Sequence, residues 1–153
     1  MQLILITGAS ASGKTQVAKG LLAHLHFIFG EDSACLISQD HYYHDLPQEP
    51  NEANPATNFD HPDAIDSKRL ISDVKQILNQ EEIYIPDYDF ITHRRIQGKL
   101  IHNRYDVIIL EGIFSLYFPE LIKLASLKVY VDTDADLRLA RRIDRDINQR
   151  GFT

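Results

Sequence analysis

The sequence predicts an α/β fold: a mainly parallel sheet with helices on both faces, in three layers. Three observations carry that expectation. Four short apolar-rich runs, at 3–7, 34–38, 107–110 and 127–131, read as strands, the first continuous rather than alternating, as a strand buried on both faces is. Helical stretches lie between most of the runs. Strand and helix therefore alternate along the chain, an order that builds a parallel sheet. Ligands of such sheets sit at the carboxyl ends of the strands.

The elements follow in order. Leu3, Ile4, Leu5 and Ile6 form the first strand. A helix over 14–29 comes next, with Val17, Leu21, Leu22, Leu25 and Ile28 near helical spacing and Gly30 as its stop. The second strand is 34–38. From 39 to 63 the chain is polar and carries Pro47, Pro50, Pro55 and Pro62. That is the pattern of a long loop, and long loops in compact domains often carry function. A helix over 66–80 places Leu70, Ile71, Val74, Ile77 and Leu78 on one side, with Asp66 or Ser67 as its cap. Ile83 and Ile85 open a strand that runs into Tyr88 and Phe90. A second strand near Leu100 and Ile101 closes a β-hairpin, about 83–101, inserted before the third core strand at 107–110. The fourth strand is 127–131. A last helix, about 134–150, starts after Thr133, which stands at capping-box spacing from Asp136.

The 153 residues are expected to form a single domain, 1–153, able to bury roughly 70% of its unfolded surface. A hydrophobic fraction of 44% with 25% charged residues excludes a disordered or fibrous chain. No apolar stretch nears the ~18 residues of a membrane span, so no membrane partner is expected. Residues 1–6 have no basic flank and do not read as a signal peptide. Cys35 stands alone, no internal disulfide can form, and a reducing, cytoplasmic compartment is expected. A net charge of −6 argues against a nucleic-acid partner but leaves room for a small phosphorylated ligand.

Gly8-Ala9-Ser10-Ala11-Ser12-Gly13-Lys14-Thr15 fits G-x-x-x-x-G-K-[ST] without a gap. It leaves a buried strand and opens a helix, as its mechanism requires. The glycines allow a tight turn that brings backbone N–H groups onto phosphate oxygens. The helix start adds partial positive charge. Lys14 can neutralise the β- and γ-phosphates, and the Thr15 hydroxyl can bind Mg²⁺. Lys14 at a helix start works against the helix dipole unless an anion is present.

Asp40 follows the second strand and Glu111 follows the third. In parallel strands both acids end near the phosphate loop. Each alone reads equally as a turn cap. Together they suit a phosphotransferase, which needs one group on Mg²⁺ and one to accept the proton of an attacking hydroxyl. Arg138, Arg141, Arg142 and Arg145 fall at i, i+3, i+4 and i+7. They are either a solvated face with helical ion pairs or a lid over triphosphate, and arginine's planar fork suits phosphate. His41 and His44 flank Tyr42 and Tyr43 without a further ligand set. Tyr88, Phe90 and His93 could hold a flat base or simply pack the hairpin.

At this point the sequence resembles the uridine kinase (uridine–cytidine kinase) family. The resemblance runs through residues 8–15, Ser38-Gln39-Asp40 with Tyr43, and Asn58-Phe59-Asp60-His61-Pro62-Asp63-Ala64. It continues through Pro86-Asp87-Tyr88-Asp89-Phe90 with His93 and Arg95, Glu111-Gly112, and the stretch from Val131 to Asp146. The blocks at 58–64 and 88–93 are much more specific than the phosphate loop. The resemblance implies a P-loop NTPase fold with core strands in the order 2-3-1-4. It implies transfer of a γ-phosphate from ATP (or GTP), with Mg²⁺, to the 5′-hydroxyl of uridine or cytidine. Asp40 then looks like the catalytic base beside Lys14. Gly8, Ala9, Ser10, Ala11, Ser12, Gly13, Lys14 and Thr15 hold the nucleotide, and Thr15, Glu111 and Asp40 form the Mg²⁺ group. Asp60 and Arg142 look like ribose contacts, while Tyr88, Phe90 and His93 with Tyr43 line the base cleft. Arg145 and Arg150 look like phosphate contacts from the lid. Pyrimidine salvage and a homo-oligomer follow by the same resemblance. Where relatives carry an arginine this chain has Phe152. Relatives also continue past the equivalent of Thr153 with a further strand and a base-holding glutamine, so the last helical turn is expected to fray and turnover to be low. A related kinase, similar to phosphoribulokinase or pantothenate kinase, is an alternative that the 88–93 block disfavours. A nucleotide-binding protein with little turnover is another.

Overall fold

A computed structural model describes residues 1–45 and 58–149. Arg150, Phe152 and the loop prolines 47, 50 and 55 lie outside the described residues. The core sheet contains β1 (Gln2–Thr7), β2 (Ala34–Ser38), β5 (Val107–Glu111) and β6 (Leu127–Tyr130), all parallel, in the order β2-β5-β1-β6. For the four core strands this is the 2-3-1-4 order. β3 (Ile83–Asp89) and β4 (Arg94–Ile101) form a separate antiparallel hairpin. Among the described residues four α-helices accompany these strands. The four α-helices are α1 (Lys14–Phe29), α2 (Ser67–Leu78), α3 (Pro119–Leu124) and α4 (Ala135–Asn148).

Successive strand residues point to opposite faces. Leu3 and Leu5 of β1, with Ile108 and Leu110 of β5, bury into a large cluster with Leu70, Val74 and Ile77 of α2. Ile6 and Ile109 point the other way, onto Ala18, Leu21, Leu22 and Leu25 of α1. A continuous apolar run is thus what a strand with a helix on each side needs. The parallel register brings Ser38, Glu111 and the end of β1 to one edge, because Ile6 and Ser38 both stand opposite Glu111.

Three local outcomes differ from the sequence pattern. The loop after β2 starts as a 3₁₀ turn, Gln39–Tyr42, and a second 3₁₀ turn covers Pro62–Ala64. The short helix α3 forms behind Pro119 at its first turn, a proline position that needs no N–H donor. The capping box at Thr133 and Asp136 does not form. Asp134 occupies the N-cap position of α4 without a side-chain bond, and the Thr133 hydroxyl donates instead to the Ser12 carbonyl at 2.6 Å. A tertiary acceptor has outcompeted the local one.

The 3₁₀ turn at 39–42 is anchored from below. Tyr42 is fully buried and its hydroxyl donates to Asp73 Oδ2 of α2 at 3.0 Å. Burial pushes the Asp73 carboxyl above its ordinary value, and the Tyr42 bond and Arg69, 3.6 Å away, oppose that rise. Tyr42→Phe strips a donor from a buried acid and is expected to lower unfolding free energy by about 1–3 kcal/mol. Urea denaturation measures this; a loss within experimental error would show that the bond does not anchor the turn.

Candidate active site

The turn after β1 is built from unusual backbone. Ala11 and Gly13 have φ of 60° and 96°, and the Ser12 N–H closes the turn onto the Ala9 carbonyl at 3.0 Å. A non-glycine residue at Ala11's conformation carries strain that the surroundings must hold in place. Gly8 is required by space: a Cβ there would lie 2.5 Å from Ser12 Oγ and 2.6 Å from the Val131 carbonyl. The Thr133 bond to Ser12 ties the same turn to the start of α4.

α1 begins without protection. Its first backbone bond runs from Val17 N–H to the Gly13 carbonyl, so the earlier N–H groups have no helical acceptor. Gly13 offers no side-chain cap, and the first turn contains no acid. Lys14 is buried at this positive end, and Ser12 Oγ is buried without a protein partner among the described residues. Helix-terminal N–H groups, a cation and a buried hydroxyl converge on one place. This donor set fits the phosphates of a nucleotide.

Glu111 ends β5 beside this turn. It accepts from Ser38 Oγ at 2.8 Å on one oxygen and from Thr15 Oγ1 at 3.2 Å on the other. Burial pushes its carboxyl up and the Asp40 charge adds to the rise, while Ser38, Lys14 and Thr15 pull it down. Asp40 sits in the 3₁₀ turn where its N–H donates to Ser38 Oγ at 3.3 Å. Among the described residues no group of three or more His, Cys, Asp or Glu could hold a metal ion alone. Thr15, Glu111 and Asp40 fit Mg²⁺, which keeps water and takes phosphate oxygens alongside one or two carboxylates.

Two cavities meet at this point. One, of about 500 Å³, is lined by Gly13, Lys14 and Thr15 on one side and by Arg141, Arg145 and Gln149 of α4 on the other. The second, of about 610 Å³, joins Lys14 and Thr15 to Asp40, Glu111, Phe90 and Arg145. The arginine stripe is divided in use. Arg138 Nε donates to the Thr133 carbonyl at 2.9 Å. Arg142 bonds Asp60 at 2.7 Å and lies 3.5 Å from Asp146. Its bond to Asp60 holds the guanidinium above its ordinary value. Arg141 and Arg145 face the phosphate turn, although Arg145 also touches Asp146 at 3.1 Å. Like charges on one face are thus spread over separate partners.

The aromatic block packs as a cluster. Tyr43 meets Phe59, Tyr88 and Phe90 edge-on at 4.8, 5.6 and 6.0 Å. Phe59 stacks on His93 at 5.6 Å. Tyr43 and Tyr88 are buried, and their hydroxyls donate to the Phe59 and His44 carbonyls. Burial pushes the Tyr88 hydroxyl up to about 12, so it stays a neutral donor. His93 sits at the hairpin turn with φ 53°. Phe90 is the member that lines the Asp40 cavity. Sequence reasoning missed Phe59 in this stack and Gln149 and Lys99 at the cavity walls. Phe59 lies within the 58–64 block, where the resemblance gives a role only to Asp60, and no periodicity marks the other two.

The chain matches the Phosphoribulokinase / Uridine kinase family over residues 3–153. It belongs to that family. Uridine kinase of Clostridium perfringens (strain ATCC 13124) is 43% identical over 148 residues, 97% of this chain and 69% of the relative. Uridine kinase of Geobacillus sp. (strain WCH70) is 46% identical over 149 residues, covering 97% and 68%. Among solved structures, a chain from Bacillus stearothermophilus described as a possible uridine kinase superposes with TM-score 0.71 at 22% identity, over 98% of this chain and 77% of that one. A Silicibacter sp. TM1040 chain named for a fructose transport system kinase gives 0.79 at 20% identity, over 99% and 74%. Those two likenesses speak to the fold. Membership makes this chain a P-loop kinase, and the family implies use of a nucleotide and Mg²⁺.

Lys14→Ala is expected to lower phosphate transfer on the order of 10²–10³-fold, since the ammonium faces charge that develops on the moving phosphoryl group. Thermal unfolding should shift little. Unchanged turnover would remove the phosphate turn from the chemistry.

Proposed function

We propose that this kinase transfers the γ-phosphate of ATP to the 5′-hydroxyl of uridine or cytidine, giving UMP or CMP in cytoplasmic pyrimidine salvage. The observation that carries the reading is one continuous cleft. Lys14, Thr15, Glu111 and Asp40 share its lining with Phe90 of the hairpin, which supports an acceptor held between the phosphate turn and the hairpin. The names and 43–46% identities of the relatives support the same acceptor.

In this reading the turn at 8–15 holds the triphosphate through its backbone N–H groups, and Lys14 bonds the β- and γ-oxygens. Arg141 and Arg145 cover the phosphates from α4. Thr15 and Glu111, with Asp40 nearby, would hold Mg²⁺, which would supply neutralisation of the phosphate charge. Asp40 Oδ accepts the 5′-hydroxyl proton as that oxygen bonds to the γ-phosphorus, while the bond from the γ-phosphorus to the β–γ bridging oxygen breaks and ADP leaves. Asp60 and Arg142, which bond each other here, open toward the ribose hydroxyls. His93 reads the pyrimidine edge beside Tyr88, Phe90 and Tyr43. Arg150, outside the described residues, is assigned to the phosphates by the family resemblance alone.

A coupled assay with ATP, Mg²⁺ and a panel of acceptors tests this directly. Uridine and cytidine should be phosphorylated and adenosine refused. Preference for a sugar phosphate or pantothenate, or no turnover at all, contradicts it.

Asp40→Asn should lower kcat by about 10²–10⁴, the range of a positioned general base. Both KM values should move far less. A fall smaller than about tenfold, where chemistry limits the rate, would send the proton elsewhere. His93→Ala should erode the choice of uridine over adenosine by about 1–3 kcal/mol, through loss of a buried polar partner. An intact preference would place base recognition elsewhere.

A further inference from the structure

The hairpin that carries Tyr88, Phe90 and His93 is a two-stranded sheet of its own. Isolated hairpins are marginally stable in water. Its aromatic residues are placed only as firmly as the hairpin is held. Arg95 stands across from Tyr88 in the hairpin register and two residues beyond His93. Two of its guanidinium nitrogens each lie 3.3 Å from Asp66 Oδ2, and one of them also donates to the Tyr43 carbonyl at 3.2 Å. The Arg95 backbone N–H donates to Asp45 Oδ1 at 2.5 Å. On the other strand the Tyr88 hydroxyl donates to the His44 carbonyl at 3.2 Å. Residues 43, 44 and 45 therefore each receive a bond from the hairpin. That stretch leaves the 3₁₀ turn that holds Asp40. Asp66 is itself fixed, because it accepts the Arg69 N–H as the N-cap of α2.

We propose that Arg95 is a positioning residue that sets acceptor affinity. It clamps the hairpin to residues 43–45 and to the start of α2. The inference rests on the acceptor reading above. Only a planar fork can bond Asp66 and the Tyr43 carbonyl together, so lysine cannot replace it. An ion pair that served stability alone would lower the melting temperature and leave the two substrates equally affected.

The test uses Arg95→Met, Arg95→Lys and Asp66→Asn. Asparagine still caps α2, so the last variant removes the charge pair without unwinding the helix. Arg95→Met should raise the uridine KM about tenfold while the ATP KM stays within about twofold. Arg95→Lys should remain several-fold impaired. Asp66→Asn should shift the same way, and the Arg95→Met/Asp66→Asn double variant should be no worse than Arg95→Met alone. Amide hydrogen exchange in the ligand-free protein should quicken at 43–45 and 88–93 and hold steady at 107–111. An unchanged uridine KM in Arg95→Met, even with faster exchange, overturns the proposal. So do parallel rises in both KM values or additive effects in the double variant. A wild type inactive on uridine and cytidine contradicts the acceptor reading instead, and the clamp is then decided by exchange, where unchanged rates in Arg95→Met overturn it.

Discussion

A helix that starts with a buried lysine and no cap is the constraint on which the rest of this structure depends. The α1 dipole and the Lys14 charge add rather than oppose. Gly13 gives the first turn neither a side-chain acceptor nor an acid. α2 shows the contrast, since Asp66 supplies the acceptor that α1 lacks. A buried positive end of this kind suits an anionic ligand. The strain at Ala11, the space kept open by Gly8 and the bond from Thr133 all serve to hold that end in place.

The parallel sheet makes the rest of the site follow from this one point. β5 lies between β1 and β2, so its last residue, Glu111, comes out beside the phosphate turn and beside Ser38. Asp40 is two residues beyond the end of β2, in a turn that Tyr42 pins to α2. Glu111 is buried next to another acid, which holds its carboxyl above the ordinary range. Burying a carboxylate beside another acid is unfavourable, and a divalent cation held there would offset it. The fold thus sets a site suited to an anion and one suited to a cation side by side. A metal–triphosphate complex answers both.

Much of this was legible in the sequence, for reasons that can be named. The central strands β1 and β5 are written as nearly continuous apolar runs, and α1 opens at Lys14 because the phosphate-loop pattern fixes its start. The strand order came with the family resemblance, not from periodicity. What stayed hidden depended on tertiary competition. Thr133 has the spacing of a capping residue, yet the Ser12 carbonyl, 121 positions away in sequence, takes its hydroxyl. Tyr43 and Tyr88 have ring faces suited to a base, yet both are buried against other rings and their hydroxyls are spent on carbonyls. The arginine spacing on α4 predicted one shared face but not its division between Asp60, the Thr133 carbonyl and the phosphate turn. Position in sequence shows which groups are available, and only the fold shows which partner wins.

The central claim is that the amino end of α1 is an anion seat completed by a phosphate chain and not by the rest of a nucleotide. Thermal unfolding of the intact chain with ATP, ATP plus Mg²⁺, pyrophosphate plus Mg²⁺, or adenosine tests it most directly. A ligand that binds only the folded state stabilises by about 2.7 kcal/mol at a hundred times its Kd. The account predicts a rise in Tm with ATP, a larger one when Mg²⁺ is added, a rise with pyrophosphate plus Mg²⁺, and none with adenosine at the same concentration. Equal stabilisation by adenosine and ATP, or no response to either phosphate compound, would contradict it.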